Sequence, residues 1–301
     1  MRPAADRITA WLALKFPNNR IAPTHYGELL IEYSLSPLRP PHLVEELETG
    51  DDGKFWSSVW EAMLYRHFVS LGLQVANNSR PSGQHGPDFS IEWNGKTIWV
   101  EAVVPGPQGI PADYLEPPGR EIRVRNKPDQ ERVLRCTSAI ADKKAKFDEY
   151  RGKGIVGAED ITVIALNICR LSDWDVDGNG ISQLPLSLEA VFPVGPLAVA
   201  ITPQGTLADQ AQHVARFAVR KPSGVSIETA NFLNRDFATI SAVLQGHQKD
   251  LYQKPLVLGT VHNPLAANPL PPGLFKPFKE FVAKEDGDNF TLRDAVHRED
   301  R

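Results

Sequence analysis

Residues 86–104 read GPDFSIEWNGKTIWVEAVV, and their patterning decides the class of fold. Residues 88–93 and 97–104 are strand-like, and Asn94-Gly95 between them is the strongest short signal for a tight hairpin. In the second strand Ile98, Trp99, Val100, Ala102, Val103 and Val104 are all apolar, and only Glu101 interrupts the run. A strand covered on both faces reads this way.

Upstream, residues 54–72 (KFWSSVWEAMLYRHFVSLG) carry apolar side chains at Trp56, Val59, Trp60, Met63, Leu64, Phe68 and Leu71. That is the 3.6-residue period of a helix, with Asp51 and Asp52 as start signals and Gly72 as the stop. Residues 73–76 form a short strand candidate. Downstream, six prolines and three glycines between 105 and 128 predict a long loop or flap. Residues 129–150 predict a second long helix, with Val133, Ile140 and Phe147 on one face and Cys136 joining them. Residues 161–168 and 197–201 predict buried strands, and residues 240–244 and 255–258 two more. Helical but irregular stretches at 4–16, 26–34 and 43–47 precede all of this.

The order is helix, strand, hairpin, helix, strand and then mixed elements, which predicts an α/β fold with a mixed central sheet flanked by helices. Residues 1–50 read as an N-terminal helical extension, residues 51–260 as the core, and residues 261–301 as a Pro-rich C-terminal segment packed on the core. The last fifteen residues or so are polar and are expected to fray.

Composition narrows the chemistry. The 301 residues are 42% hydrophobic and carry a formal charge of −4, so no global basic field advertises nucleic acid. Between Arg120 and Lys153, however, eleven Lys or Arg stand against six acids. This is either a phosphate-facing patch or, as charge runs more often are, a solvated helix face. Cys136 and Cys169 form no CxxC, which argues against thiolate zinc and fits reduced thiols in the cytoplasm. No apolar run approaches the roughly 20 residues that span a bilayer. Asp173, Asp175, Asp177 and Gly178 resemble a calcium loop, but Leu184 stands where its bidentate glutamate belongs. No GxSxG or GxxxxGK occurs. His67 and His85 lie near the carboxylates discussed next, and His262 sits in a turn without an obvious partner.

Three carboxylates occupy awkward places. Asp88 opens a strand directly after Gly86-Pro87, Glu101 breaks an apolar strand, and Glu61 borders the apolar stripe of its helix. A lone ionised carboxylate in such a strand is costly to bury. If the three converge they repel one another, and a divalent cation would relieve that; oxygen ligands without sulfur select Mg2+ or Mn2+. Taken singly, the plainer readings are a hairpin cap for Asp88, an exposed edge-strand acid paired with Arg135 for Glu101, and a solvated helix acid for Glu61.

The string Gly86-Pro87-Asp88-Phe89, followed by a strand, a turn and Trp99-Val100-Glu101-Ala102-Val103, resembles the PD-(D/E)XK signature of restriction-endonuclease-like nucleases. The resemblance covers about residues 54 to 170. It implies Asp88, Glu101 and the additional helix acid Glu61 as ligands of Mg2+, with Mn2+ as a substitute. It further implies a phosphodiesterase acting on nucleic acid, DNA above RNA, and leaves open a homodimer that cuts two strands. Where the signature has its lysine the chain has Val103, and some members place that lysine on the next core helix. There Lys143 and Lys144 flank the inward stripe on opposite sides, and Lys143 is the preferred catalytic lysine. The same Val103 motivates the alternative of a catalytically inactive, nuclease-derived module that binds nucleic acid or protein.

Overall fold

Asp51 caps the helix that organises one side of the molecule: its side chain accepts from the Lys54 amide at 2.9 Å. In this computed structural model the described residues are 3–19, 21–76, 86–116, 126–172, 178–201, 204, 207–247, 256, 258–286 and 289–294. His85, Arg120, Arg123, Arg125, Asp173, Asp175, Asp177 and Pro255 lie outside them. The first elements are α1 (Ala4–Lys15), α2 (Ala22–Leu35), α3 (Leu43–Glu48) and α4 (Asp52–Ser70), followed by β1 (Val75–Ala76). Gly72 ends α4 with φ 74°, a left-handed conformation that suits glycine.

The hairpin forms as expected. β2 (Phe89–Trp93) pairs antiparallel with β3 (Lys96–Val103) through Asn94 and Gly95, both at positive φ as a type I′ turn requires. Then come α5 (Ala112–Leu115), inside the stretch expected to be all loop, α6 (Asp129–Gly152), β4 (Ile161–Asn167) and α7 (Leu186–Val191). β5 (Val194–Ile201) and β6 (Leu207–Ala215) make one two-stranded sheet, and β7 (Ala218–Arg220) and β8 (Ser226–Glu228) another. The chain then adds β9 (Ala242–Gly246), β10 (Gly259–His262), β11 (Lys279–Asp286) and β12 (Asn289–Asp294).

Among the described residues, eight strands form the central sheet in the order β1-β2-β3-β4-β9-β10-β11-β12. β3, β4 and β9 run parallel to one another, while β2 and β10 run antiparallel to their inner neighbours. Alternation along β3 divides the interior in two. Ile98, Val100 and Ala102 join the apolar cluster under α1–α4, whereas Trp99 and Val103 pack with the cluster under α6 and α7. The result is a mixed sheet with a helical layer on each face.

Trp60 locks the first layer to the sheet. Its indole N–H donates to the Ala165 carbonyl of β4 at 2.9 Å. Its ring lies so close over β9 that a Cβ at Gly246 would come within 2.6 Å of its Cη2. Only a residue without a side chain fits there.

Several expectations are corrected. The apolar run 197–201 is not buried: it belongs to β5, where Leu197 and Ile201 are exposed. Among the described residues β5 pairs only with β6, outside the central sheet. Leu256 and Leu258 precede β10 rather than forming a strand. Lys279–Asp286 and Asn289–Asp294, within the C-terminal segment expected to pack on the core and to fray over about its last fifteen residues, extend the central sheet. Their backbone groups are satisfied by pairing with each other as a hairpin and, through β11, with β10, a source of order that local polarity does not reveal. No helix among the described residues is long and apolar enough to cross a membrane.

Candidate active site

The carboxylate that breaks the apolar pattern of β3 is buried: Glu101 is 1% exposed on an interior strand, which excludes an edge-strand role. Strand alternation points it to the α6 side of the sheet, where two lysines meet it. Lys143 donates to Glu101 Oε1 at 2.7 Å and Lys146 to the same oxygen at 3.1 Å. Arg135, the partner suggested by sequence, donates instead to the Gly106 carbonyl at 2.9 Å. Among the described residues, Glu101 Oε2 is buried without a hydrogen-bond partner. A carboxylate oxygen in that state has given up water and received nothing in exchange.

Asp88 stands one step beyond the Phe89–Val100 pair, where the β2–β3 register sets it opposite Glu101. Its Oδ2 accepts from the Ala102 amide at 2.7 Å, which anchors the carboxylate across the hairpin. Glu61, next to Trp60 on α4, accepts from the Tyr33 hydroxyl at 3.2 Å through Oε2.

Glu61 and Asp88 keep some exposed surface, yet protein surrounds their carboxylates closely enough for desolvation to dominate. Burial, and then the charge of Asp88, raises the Glu61 pKa above the ordinary carboxylate range, against the pull of Tyr33 and Lys143. Burial, and then the charge of Glu101, raises Asp88, against Lys143 and the Ala102 N–H. Burial opposes the charge on Lys146, but Glu101 more than offsets it and holds that ammonium above its usual pKa. The three acids therefore feel one another, although α4 and α6 lie on opposite faces of the sheet.

This coupling has a measurable consequence. With native pKa values above those of the unfolded chain, at about 4, the folded protein retains protons that the unfolded chain has released. Metal-free protein should lose stability as pH rises from about 4 through the raised native values. Urea-unfolding midpoints measured in chelator across this range test the sign, and the double variant Glu61→Gln/Asp88→Asn should flatten the slope.

The structure thus brings Glu61, Asp88, Glu101 and Lys143 into one electrostatic neighbourhood. Lys144 is not part of it: it pairs with Asp148 at 2.6 Å and lies over the Phe237 ring. Val103 packs at the edge of the apolar cluster under α6. Much of the basic stretch is engaged within the fold. Arg132 is fully buried over Tyr114, Arg151 donates to the Asp160 carbonyl, and Lys153 pairs with Glu149.

Elsewhere, His67 Nε2 lies 3.0 Å from the Phe275 carbonyl, and His262 finds Glu280 at 2.6 Å. Both cysteines are buried and outside any disulfide, and burial pushes the Cys136 thiol up to about 12, which leaves it unreactive. Sequence reasoning missed Tyr33 and the pairing of Lys146. The signal for Tyr33 was available: Tyr26, Leu29, Leu30 and Tyr33 repeat on one helix face, and a buried tyrosine brings a hydroxyl that needs a partner.

Among the described residues, no group of three or more His, Cys, Asp or Glu side chains is arranged to hold a metal ion. The donor set, in its chemistry as distinct from its spacing, is of the kind a hard divalent cation takes. It is all oxygen, its members repel one another, and Glu101 Oε2 points at no donor. In comparisons with protein-family models, curated proteins and solved structures, nothing matches this chain.

Proposed function

We propose that the protein is a metal-dependent nuclease with a restriction-endonuclease-like core, acting on DNA in the cytoplasm. Glu61, Asp88 and Glu101 would hold Mg2+ or Mn2+. The cation would polarise a water for attack on the phosphodiester and stabilise charge on the phosphate.

The chain's own groups supply the rest. Asp88 is held in place by the Ala102 amide, so its carboxylate is oriented before any ligand arrives. Lys143 and Lys146 bring positive charge to the rim of the acidic centre, where a phosphate oxygen develops negative charge in the transition state. Lys143 reaches from α6 to the carboxylate that a lysine at position 103 would have flanked. The observation that carries the reading is the Lys143–Glu101 contact at 2.7 Å beside an unpartnered Glu101 Oε2. A homodimer would supply two such centres, one for each strand of a duplex.

Incubation with supercoiled plasmid and with single-stranded DNA and RNA tests this. Cleavage is expected in Mn2+ or Mg2+, none in chelator, and none by Asp88→Ala. Inert wild-type protein on every substrate would rule the reading out.

A second reading, an inactive nuclease-derived binding module, draws support from the same carboxylate. Two ammonium groups already neutralise Glu101, and a site that satisfies its acid with lysines has less need of a cation. Calorimetric titration with Mn2+ separates the two, because the inactive descendant binds no cation at these carboxylates.

A further inference from the structure

Helix α2 lies outside the segment that carries the nuclease resemblance, yet it reaches the acidic centre. Three contacts tie it to α4, at Glu61 and about one turn beyond it. The Tyr33 hydroxyl donates to Glu61 Oε2 at 3.2 Å, Arg66 pairs with Glu32 at 2.8 Å, and the Tyr33 and Tyr65 rings lie 5.7 Å apart. Tyr33 itself is only 2% exposed. Phenylalanine would fill that space equally well, so the hydroxyl is the one part of the side chain that packing does not explain.

Glu61 needs a restraint. Its side chain has three rotatable bonds, keeps some exposure, and is repelled by Asp88 and Glu101. Left alone, it would relax toward water. A tyrosine with only two side-chain torsions, buried in a helical layer, is a rigid donor, and ordering done in advance is not charged against ligand binding. Groups that hydrogen-bond a metal-ligating side chain act in this way, and their removal weakens metal affinity about 10- to 100-fold.

We propose that Tyr33 is a positioning residue: its hydroxyl holds Glu61 toward Asp88 and Glu101, so that α2 completes the cation-binding centre. This rests on the reading that those carboxylates bind a divalent cation.

The test is calorimetric titration of Mn2+ into four proteins: wild type, Tyr33→Phe, Glu61→Ala and the double variant. Tyr33→Phe should weaken Mn2+ binding about tenfold while leaving the circular dichroism spectrum unchanged. The double variant should bind no more weakly than Glu61→Ala, because the hydroxyl acts only through Glu61. An unchanged affinity in Tyr33→Phe, beside a wild type that binds, overturns the role of Tyr33 and leaves the cation site standing. A loss that persists in the Glu61→Ala background marks a packing effect and overturns it as well. A wild type that binds no Mn2+ removes both this proposal and the reading beneath it.

Discussion

Glu101→Gln should lower the DNA cleavage rate in saturating Mn2+ by at least about 1000-fold, equivalent to about 4 kcal/mol of transition-state stabilisation. The substitution keeps the shape of the side chain and removes its charge. Glu101 is the only one of the three acids that is almost fully buried, and the only one with a buried oxygen that finds no hydrogen-bond partner among the described residues. It also gathers both lysines. Losing it therefore removes a proposed cation ligand and the anchor for two ammonium groups in one step. Single-turnover cleavage with Mn2+ well above its dissociation constant measures the chemical step. A residual rate within tenfold of wild type would reduce Glu101 to a structural ion-pair partner.

The second large effect separates two neighbouring lysines. Lys143→Met should reduce cleavage by about 100-fold or more, the range for loss of a positioned proton-transfer or charge-stabilising group. It should also lower stability by about 1.5–3 kcal/mol, the range for a hydrogen bond to a charged partner. Methionine keeps most of the aliphatic bulk, so the cost arises from the carboxylate left with Lys146 alone. Lys144→Met should change cleavage less than twofold and stability by less than about 1 kcal/mol, because its bond to Asp148 is a surface pair. Urea unfolding and single-turnover rates on the two variants decide the matter, and equal effects would refute the assignment of Lys143.

The parts of the fold that were legible in the sequence are those whose cause is local. A capping Asp51, a 3.6-residue stripe and Gly72 mark α4 without help from the rest of the chain. Asn94-Gly95 marks the hairpin because few other residue pairs accept both backbone conformations. Glu101 stood out because a charge inside an apolar strand demands an explanation. What stayed hidden depends on distant chain. The apolar run of β5 reads like a core strand, since residue type does not record whether another layer covers it. Lys279–Asp286 and Asn289–Asp294 are rich in charge and owe their order to pairing at the sheet edge. Lys146 went unassigned because helix spacing indicates where a Cα lies, while a four-carbon stem lets Lys143 and Lys146 reach one oxygen from adjacent turns. The partner of Tyr33 was hidden for a further reason, since it lies 28 residues later on another helix.

The indole of Trp60 has an implication for how the site tolerates change. Keyed into one strand by its N–H and seated on the bare backbone of another, it is a mechanical stop: α4 can neither slide along its axis nor roll without pulling the ring out. Glu61 is the very next residue, so its placement is referenced to the rigid parallel trio in the middle of the sheet and not to the loops that enter and leave the helix. Drift in loop length or composition can be absorbed upstream and downstream without moving that acid, whereas a single methyl added at position 246 would shift it.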